Sequence, residues 1–380
     1  MNALASHYGS LFVVRAPVPA TFNQAGVNYK SEVAHLEYSP RDAYAEWLAI
    51  CEGILACGGD ALFDFEAEDE ALLDHGDLHV EADGRIVARA SGAVLGRAPE
   101  LLTGRVFCAN GPWLRVAGRR LRALLPNLVA HRRAELAYYE RLLGAIAEAS
   151  GLALETSANP HPWEGLADVA PVGPRAVLTY GVAGHYDAGL EPKTLRSSRE
   201  GARFAADFAE LEESQRIYAE LVYPHFHGDT VHFAARPDRG PARLVHYAGG
   251  LYGDGAARVA SALGAEAIVP IGREDAVHHY AGNSRQVGSG VLVPDGVSRG
   301  FAARLRALGL APRAIRLAEL FGKAGGGPAC ATLVLPSDLA LPAHAPLRFS
   351  ARRAEAHARL RRVAQRLTVD PGCFAGRRRG

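Results

Sequence analysis

Short apolar runs alternate along the chain with longer stretches whose apolar residues recur at helical spacing, the pattern of strands alternating with helices. Leu11 to Val14 reads as a strand, Asp42 to Ile54 as a helix entered at Ser39-Pro40, and Ala61 to Phe65 as a returning strand. Strand Arg105 to Ala109, turn Asn110-Gly-Pro112, strand Trp113 to Val116 and a long helix from Val129 to Ser150 make a second cycle. The cycle recurs at Val177 to Tyr180 with Phe204 to Leu221, at Thr230 to Phe233 with Gly255 to Leu263, and at Val291 to Val293 with Ser298 to Leu308. The pattern predicts an α/β protein of about five strand, helix, strand units. Such units stack in a row or close in a ring, and periodicity alone does not choose.

Two segments break the cycle. Residues 67–100 follow the acidic run Glu66-Ala-Glu-Asp-Glu70 with strand-like pieces at Leu78 to Val80 and Ile86 to Ala88, and read as a surface hairpin with a solvated acidic face. From Arg348 to Gly380 ten arginines face Glu355 and Asp370, a local excess of eight. Ala351 to Leu367 reads as a basic amphipathic helix and Gly376 to Gly380 as a loose tail. The expected arrangement is a helix packed on the domain with a solvated Arg face; nucleic acid, anionic lipid or an acidic partner is the alternative.

Composition narrows the function classes. The chain has 380 residues, 48% hydrophobic and 22% charged, with Lys+Arg at 42 against Asp+Glu at 41. That is globular composition without the positive field a generic nucleic-acid binder needs. The cysteines Cys51, Cys57, Cys108, Cys330 and Cys373 are scattered and form no C-x-x-C pair, so a reduced, cytoplasmic protein is expected. No run approaches the roughly 18 to 20 apolar residues of a membrane span. Leu11 to Val14 is interrupted by Arg15 and is too short for an export signal. No membrane partner is expected, and the oligomeric state, a homo-oligomer included, stays open.

The densest polar signal is Pro224-His-Phe-His-Gly-Asp-Thr-Val231, where His225, His227 and Asp229 alternate and project to one face if the segment is extended. An imidazole beside a carboxylate suits proton transfer by one and cation binding by the other. A metallohydrolase is the rival, but it needs further convergent ligands, and no second Asp/His cluster is evident. Cys330 follows the glycine-rich loop Gly325-Gly-Gly-Pro328 and precedes a strand. Glycines admit a substrate close to the backbone, and a thiol at such a junction can sit in a cleft; alternatively it is a small buried hydrophobe. The phosphate-binding form G-x-x-x-x-G-K-[ST] is absent. Glu164 and Asp168 lie in one turn beside a strand, and Asn110 closes another strand; singly, these are turn residues.

In this order the residues resemble the guanidine-modifying pentein superfamily, which includes arginine deiminase, dimethylarginine hydrolase, arginine and succinylarginine dihydrolases and the amidinotransferases. The resemblance rests on Val106-Phe-Cys-Ala-Asn-Gly111 with His131-Arg-Arg-Ala-Glu135, Glu164-Gly-Leu-Ala-Asp168, His227-Gly-Asp-Thr-Val231 and Gly325-Gly-Gly-Pro-Ala-Cys330. Asn283 with Val291-Leu-Val-Pro294 fits the approach to the last unit, and the likeness covers about residues 8 to 340.

It implies a five-bladed α/β propeller of ββαβ units around a pseudo-fivefold axis. A catalytic domain at 1–342, with the insertion at about 67–100, would precede a basic helical extension at 343–380. It implies Cys330 as nucleophile, His227 as general acid and base, Glu164 as its orienting partner, and Asp229, Asn110, Asp168 and Asn283 as substrate-binding residues. The substrate is a small guanidine that brings its own charge, and no metal or cofactor is implied.

Asn110 stands where many deiminases and transferases carry an aspartate, and the amide resembles the dihydrolases, which process the guanidine twice. The segment Tyr180-Gly-Val-Ala-Gly-His185 lacks the arginine that relatives often place there for a substrate carboxylate, with Arg196 downstream. Pro328-Ala329 before the cysteine also departs from the family pattern. An amidinotransferase, in which an amine replaces water, is the first alternative. A non-catalytic ribosome-binding ring and a metal hydrolase on His225, His227 and Asp229 follow. Cys108 is a second candidate thiol.

Overall fold

The computed structural model describes residue 4 and residues 9–17, 39–81, 83–97, 106–182 and 196–369. Arg105, the stretch from 183 to 195 with His185, and the chain from 370 on with Cys373 lie outside them.

Alternating apolar strands and one-sided helices assemble into a mixed α/β fold of small sheets, and five three-stranded sheets share one internal order. Trp113–Ala117 runs antiparallel to Arg120–Leu125, and helix Leu136–Ala149 carries the chain to Ala153–Ala158, parallel to Arg120–Leu125. That helix buries Tyr138, Tyr139, Leu142, Leu143 and Ile146, one face at helical spacing. The order repeats in Val169–Val172, Arg175–Tyr180, helix Arg199–Phe208 and Arg216–Glu220. It repeats again in His232–Ala235, Arg243–His246, helix Gly255–Leu263 and Ile268–Pro270. A fourth copy is Arg285–Val287, Gly290–Pro294, helix Arg299–Ala307 and Ala311–Ile315. Glycines at positive φ turn three of the hairpins, Gly118, Gly173 and Gly288.

The fifth sheet joins distant parts of the chain. Leu333–Val334 pairs antiparallel with Leu11–Val13, which lies parallel to Asp60–Leu62 across helix Pro40–Ala56. Ser39 caps that helix by accepting from the Asp42 amide, with Pro40 opening it.

A sixth sheet corrects the reading of the two unassigned segments. Leu78–Val80, Arg85–Ala88 and Val94–Arg97 are joined by the C-terminal strand Leu367–Val369, which runs parallel to Leu78–Val80. The acidic run is a helix, Ala67–Asp74, and it is paired rather than solvated. Arg359 donates to Glu70 at 2.5 Å, and Arg362 to Glu70 at 3.0 Å and Asp74 at 2.6 Å. The basic helix Phe349–Arg366 thus finds its acidic partner within the chain, where Phe349 packs edge-on to Trp47. Among the described residues no helix is long and apolar enough to cross a membrane.

Other boundaries shift for local reasons. Cys108–Asn110 is a 3-10 turn, not a strand end, because Asn110 turns inward to meet Glu164. The helix expected at Phe204 to Leu221 starts at Arg199 on the Ser198 cap and ends at Phe208. Glu210 takes positive φ beyond it, and Ile217 and Ala219 are buried on the strand Arg216–Glu220. Three further 3-10 turns, Gly165–Asp168, Gly228–Thr230 and Ala281–Asn283, precede the first strands of their sheets as Cys108–Asn110 does. The turn ending at Ala331 precedes Leu333–Val334 in a similar way. Every motif singled out for chemistry sits on one of these five turns or at its entry.

Candidate active site

The five turns are hydrogen-bonded in a closed circuit. Asn110 donates to Glu164, the residue before the second turn, and the Gly228 amide donates to Asp168 at its end. Asn283 donates to the Asp229 carbonyl and to Cys330 Sγ, and the Ala109 amide returns the circuit to the Cys330 carbonyl. Contact is close enough that only glycine fits at 165: with φ +72° there, a Cβ would lie 2.1 Å from the Gly111 carbonyl oxygen.

His227 and Glu164 form one half of the site. His227 Nε2 lies 2.8 Å from Glu164 Oε2, and Asn110 Nδ2 donates to the same oxygen at 2.9 Å, 3.1 Å from Nε2. Because Nε2 is engaged by the carboxylate, Nδ1 is the nitrogen left for proton exchange. Glu164 is fully buried, with Arg196 at 3.5 Å and Arg132 at 3.9 Å. Burial alone would raise its pKa. The Arg196 charge, His227 through hydrogen bond and charge, and Arg132 outweigh it and hold the carboxyl far below the ordinary range.

Cys330 and Asp229 form the other half. The Cys330 thiol donates to Asp229 Oδ2 at 3.1 Å, and Asn283 Nδ2 donates to the sulfur at 2.9 Å. Burial, then the Asp229 charge, push the thiol well above its ordinary pKa. Burial likewise raises Asp229, against the opposing pull of His227. A cation placed between them would reverse both effects.

Two residues expected to bind substrate are engaged by the chain itself. Asp168 accepts from Thr179 at 2.7 Å, Ser197 at 2.5 Å and the Gly228 amide at 2.9 Å. Asn283 accepts from the amides of Gly327 at 2.9 Å and Cys330 at 3.0 Å and donates to Asp229 O and Cys330 Sγ, which exhausts an amide's capacity. Both are placed to hold the turns of Asp229 and Cys330. The glycine-rich loop has a packing reason as well, since a Cβ at Gly326 would lie 2.1 Å from the Phe107 ring.

The expected alternation of His225, His227 and Asp229 on one strand face does not occur, because a 3-10 turn follows His227. His225 turns away, 3.1 Å from Thr230 Oγ1 and against the Tyr247 ring. Among the described residues no cluster of three His, Cys, Asp or Glu side chains is arranged around a metal position. Cys108 is buried in the core beside Tyr139, where burial pushes its thiol up to about 12.

Sequence reading gave no role to Arg132, Ser197, Thr179 or Arg285. Arg132 clamps Glu135 with two bonds of 2.8 Å, a charged pair three residues apart that its spacing shows. Arg285 donates to the carbonyls of Ala329 and Thr332 on either side of Cys330, and no sequence signal marks it.

No family model matches the chain, and no curated protein matches it. Solved structures do, and the likeness is one of fold. In particular the chain is similar to the N-terminal domain of ArgZ, an arginine dihydrolase of cyanobacteria, at 18% identity and TM-score 0.59, over 85% of this chain and 97% of that domain. It is similar to AgrE bound to L-arginine at 18% identity and TM-score 0.60, over 89% of this chain and 41% of AgrE. A dimethylarginine dimethylaminohydrolase aligns at 17% identity and TM-score 0.50, over 85% and 98%.

Proposed function

We propose that the protein is a metal-free cysteine hydrolase of the guanidine group of arginine or an arginine-like compound. The observation that carries the reading is the pairing of a thiol with Asp229 and of an imidazole with Glu164 across one ring of turns. The fold shared with arginine dihydrolases and a dimethylarginine hydrolase supports it. On this reading the five sheets are blades of a propeller within residues 1–342, and the extension expected at 343–380 meets the insertion through helix Phe349–Arg366 and strand Leu367–Val369.

Asp229 would hold the guanidinium by charge-assisted hydrogen bonds. The bound cation favours the thiolate, the thiol proton passes to His227, and Cys330 Sγ adds to the guanidinium carbon. Protonated His227 passes its proton to the departing nitrogen, so ammonia leaves and R–NH–C(=NH2+)–S–Cys330 remains. Water then adds to that carbon, one of its protons returns to His227, and the C–S bond breaks to give the ureido product. The second proton is released to solvent, where the departed ammonia takes it up as ammonium. Glu164 keeps the imidazole oriented and stabilises its protonated form. Asn110, which both donates and accepts, suits a neutral ureido group, and so favours a second round on the same carbon.

The test is product analysis of the wild type beside Cys330→Ala with a panel of guanidines, with and without glycine, lysine or ornithine. Ornithine or citrulline with ammonia, lost in the variant, is the expected result. A new guanidino product seen only with an amine would make the protein a transferase, and full activity of Cys330→Ala would overturn the mechanism.

A further inference from the structure

A cavity of about 380 Å³ adjoins the site at Asp229. Four of the five sheets wall it, through Val334, Ala170, Ala234 and Gln286. Its inner end is formed by buried Asp229, His232 and Ala329, its outer rim by exposed Arg236, Asp238 and Gly288, so it runs from solvent to the nucleophile's neighbours. Asn110, Glu164, His227 and Cys330 are not among its lining residues.

Two buried groups at the inner end have polar atoms without a protein partner: Asp229 Oδ1 and both ring nitrogens of His232. Asp229 is 8% exposed and His232 2%. Such atoms are costly to bury unless water reaches them, and a polar cavity of this size has room for several waters. Burial, reinforced by His246 and His225, keeps His232 neutral, so it both donates and accepts. The Asp229 carboxylate therefore has one oxygen on the Cys330 thiol and the other without a protein partner, on a side chain that lines the cavity.

The geometry points to a solvent conduit through which ammonia leaves and water reaches the carbon on Cys330 while the rest of the substrate is still attached. This rests on the guanidine hydrolase reading. In that reaction the covalent adduct keeps its N-substituent in the site, so ammonia and water must exchange around a bound molecule. Both are small, and both hydrogen-bond to a carboxylate oxygen. The path past Asp229 separates them from the route of the bulky substrate.

The experiment uses full-length Ala234→Trp and Ala170→Trp, which narrow the cavity wall away from the catalytic groups, with Ala234→Leu as a milder variant; folding is checked by circular dichroism and melting. Mass spectrometry follows formation and decay of the Cys330 adduct with a guanidine the wild type turns over. Adduct formation is expected to stay within about two-fold and adduct breakdown to slow about ten-fold, so that kcat and KM fall together. Folded variants whose adduct decays at the wild-type rate would overturn the conduit while leaving the hydrolase reading intact. A wild type that neither turns over nor forms an adduct with any guanidine would sink both.

Discussion

The Cys330 thiol donates to Asp229 Oδ2 at 3.1 Å, so the proposed cation-binding carboxylate opposes ionisation of the proposed nucleophile, while the donated hydrogen bond favours the carboxylate's own charge. Burial and the Asp229 charge favour the protonated thiol, and on the proposed reading a bound cation relieves both. Asp229→Asn removes the anion but not the burial. Alkylation of Cys330 by iodoacetamide should then begin at lower pH than in the wild type, while turnover falls at least about a hundred-fold because the guanidinium loses its partner. An unchanged alkylation profile would show that Asp229 does not govern the thiol.

Asn283 bonds the sulfur, the Cys330 amide, the Gly327 amide and the Asp229 carbonyl at once. Asn283→Asp keeps the shape and the two acceptor bonds but places a charge against the sulfur. The expected result is a kcat lower by about ten- to a hundred-fold with KM little changed, and a thiol that needs higher pH to react. A rise in KM with unchanged kcat would instead return Asn283 to direct substrate binding.

The positions of the polar residues that meet in the fold were more legible in the sequence than the backbone that carries them. His227, Asp229, Glu164, Asn110 and Cys330 were each visible as polar residues in turns or at the ends of strand-like runs, because a turn that presents a side chain must interrupt an apolar run. The backbone of those entries was not visible. A 3-10 turn such as Gly228–Thr230 leaves no periodic signal, and the extended reading of His225 to Asp229 failed for that reason. Long-range pairings were hidden too. Nothing local in Leu78–Val80 says that it pairs with Leu367–Val369, and opposite charge in Glu70 and Arg359 was the one available hint. Asn283 was marked by resemblance alone, and its saturation by four internal bonds is a property of the folded chain.

Arg196 stands 3.5 Å from fully buried Glu164 and is the leading opposing charge against its burial. Removing it leaves an incompletely compensated buried carboxylate. Arg196→Ala should therefore lose roughly 3 kcal/mol in denaturant unfolding at neutral pH. The sign with pH follows from the depressed carboxyl: its contribution is present above the unfolded carboxylate pKa and is lost only as pH falls toward its folded value. The gap between wild type and variant should accordingly narrow on acidification, and a gap independent of pH would assign the loss to packing.

Glu46 lies far from the site in sequence and fold, buried in helix Pro40–Ala56, and accepts from the amides of Glu319 at 2.9 Å and Leu320 at 2.8 Å. Burial raises its pKa to about 7 despite those bonds. A carboxyl raised on folding binds more protons in the native than in the unfolded state between the two pKa values, so stability declines as pH rises across that window. Glu46→Gln keeps an acceptor oxygen for the amides and removes the titration. Relative to wild type, the variant should gain melting temperature at pH 8 compared with pH 5. Activity per folded molecule should stay the same, since Glu46 bonds the backbone at the entry of helix Leu320–Ala324 and none of the candidate site residues. Parallel melting curves of the two proteins across that range would show that Glu46 is already ionised at low cost.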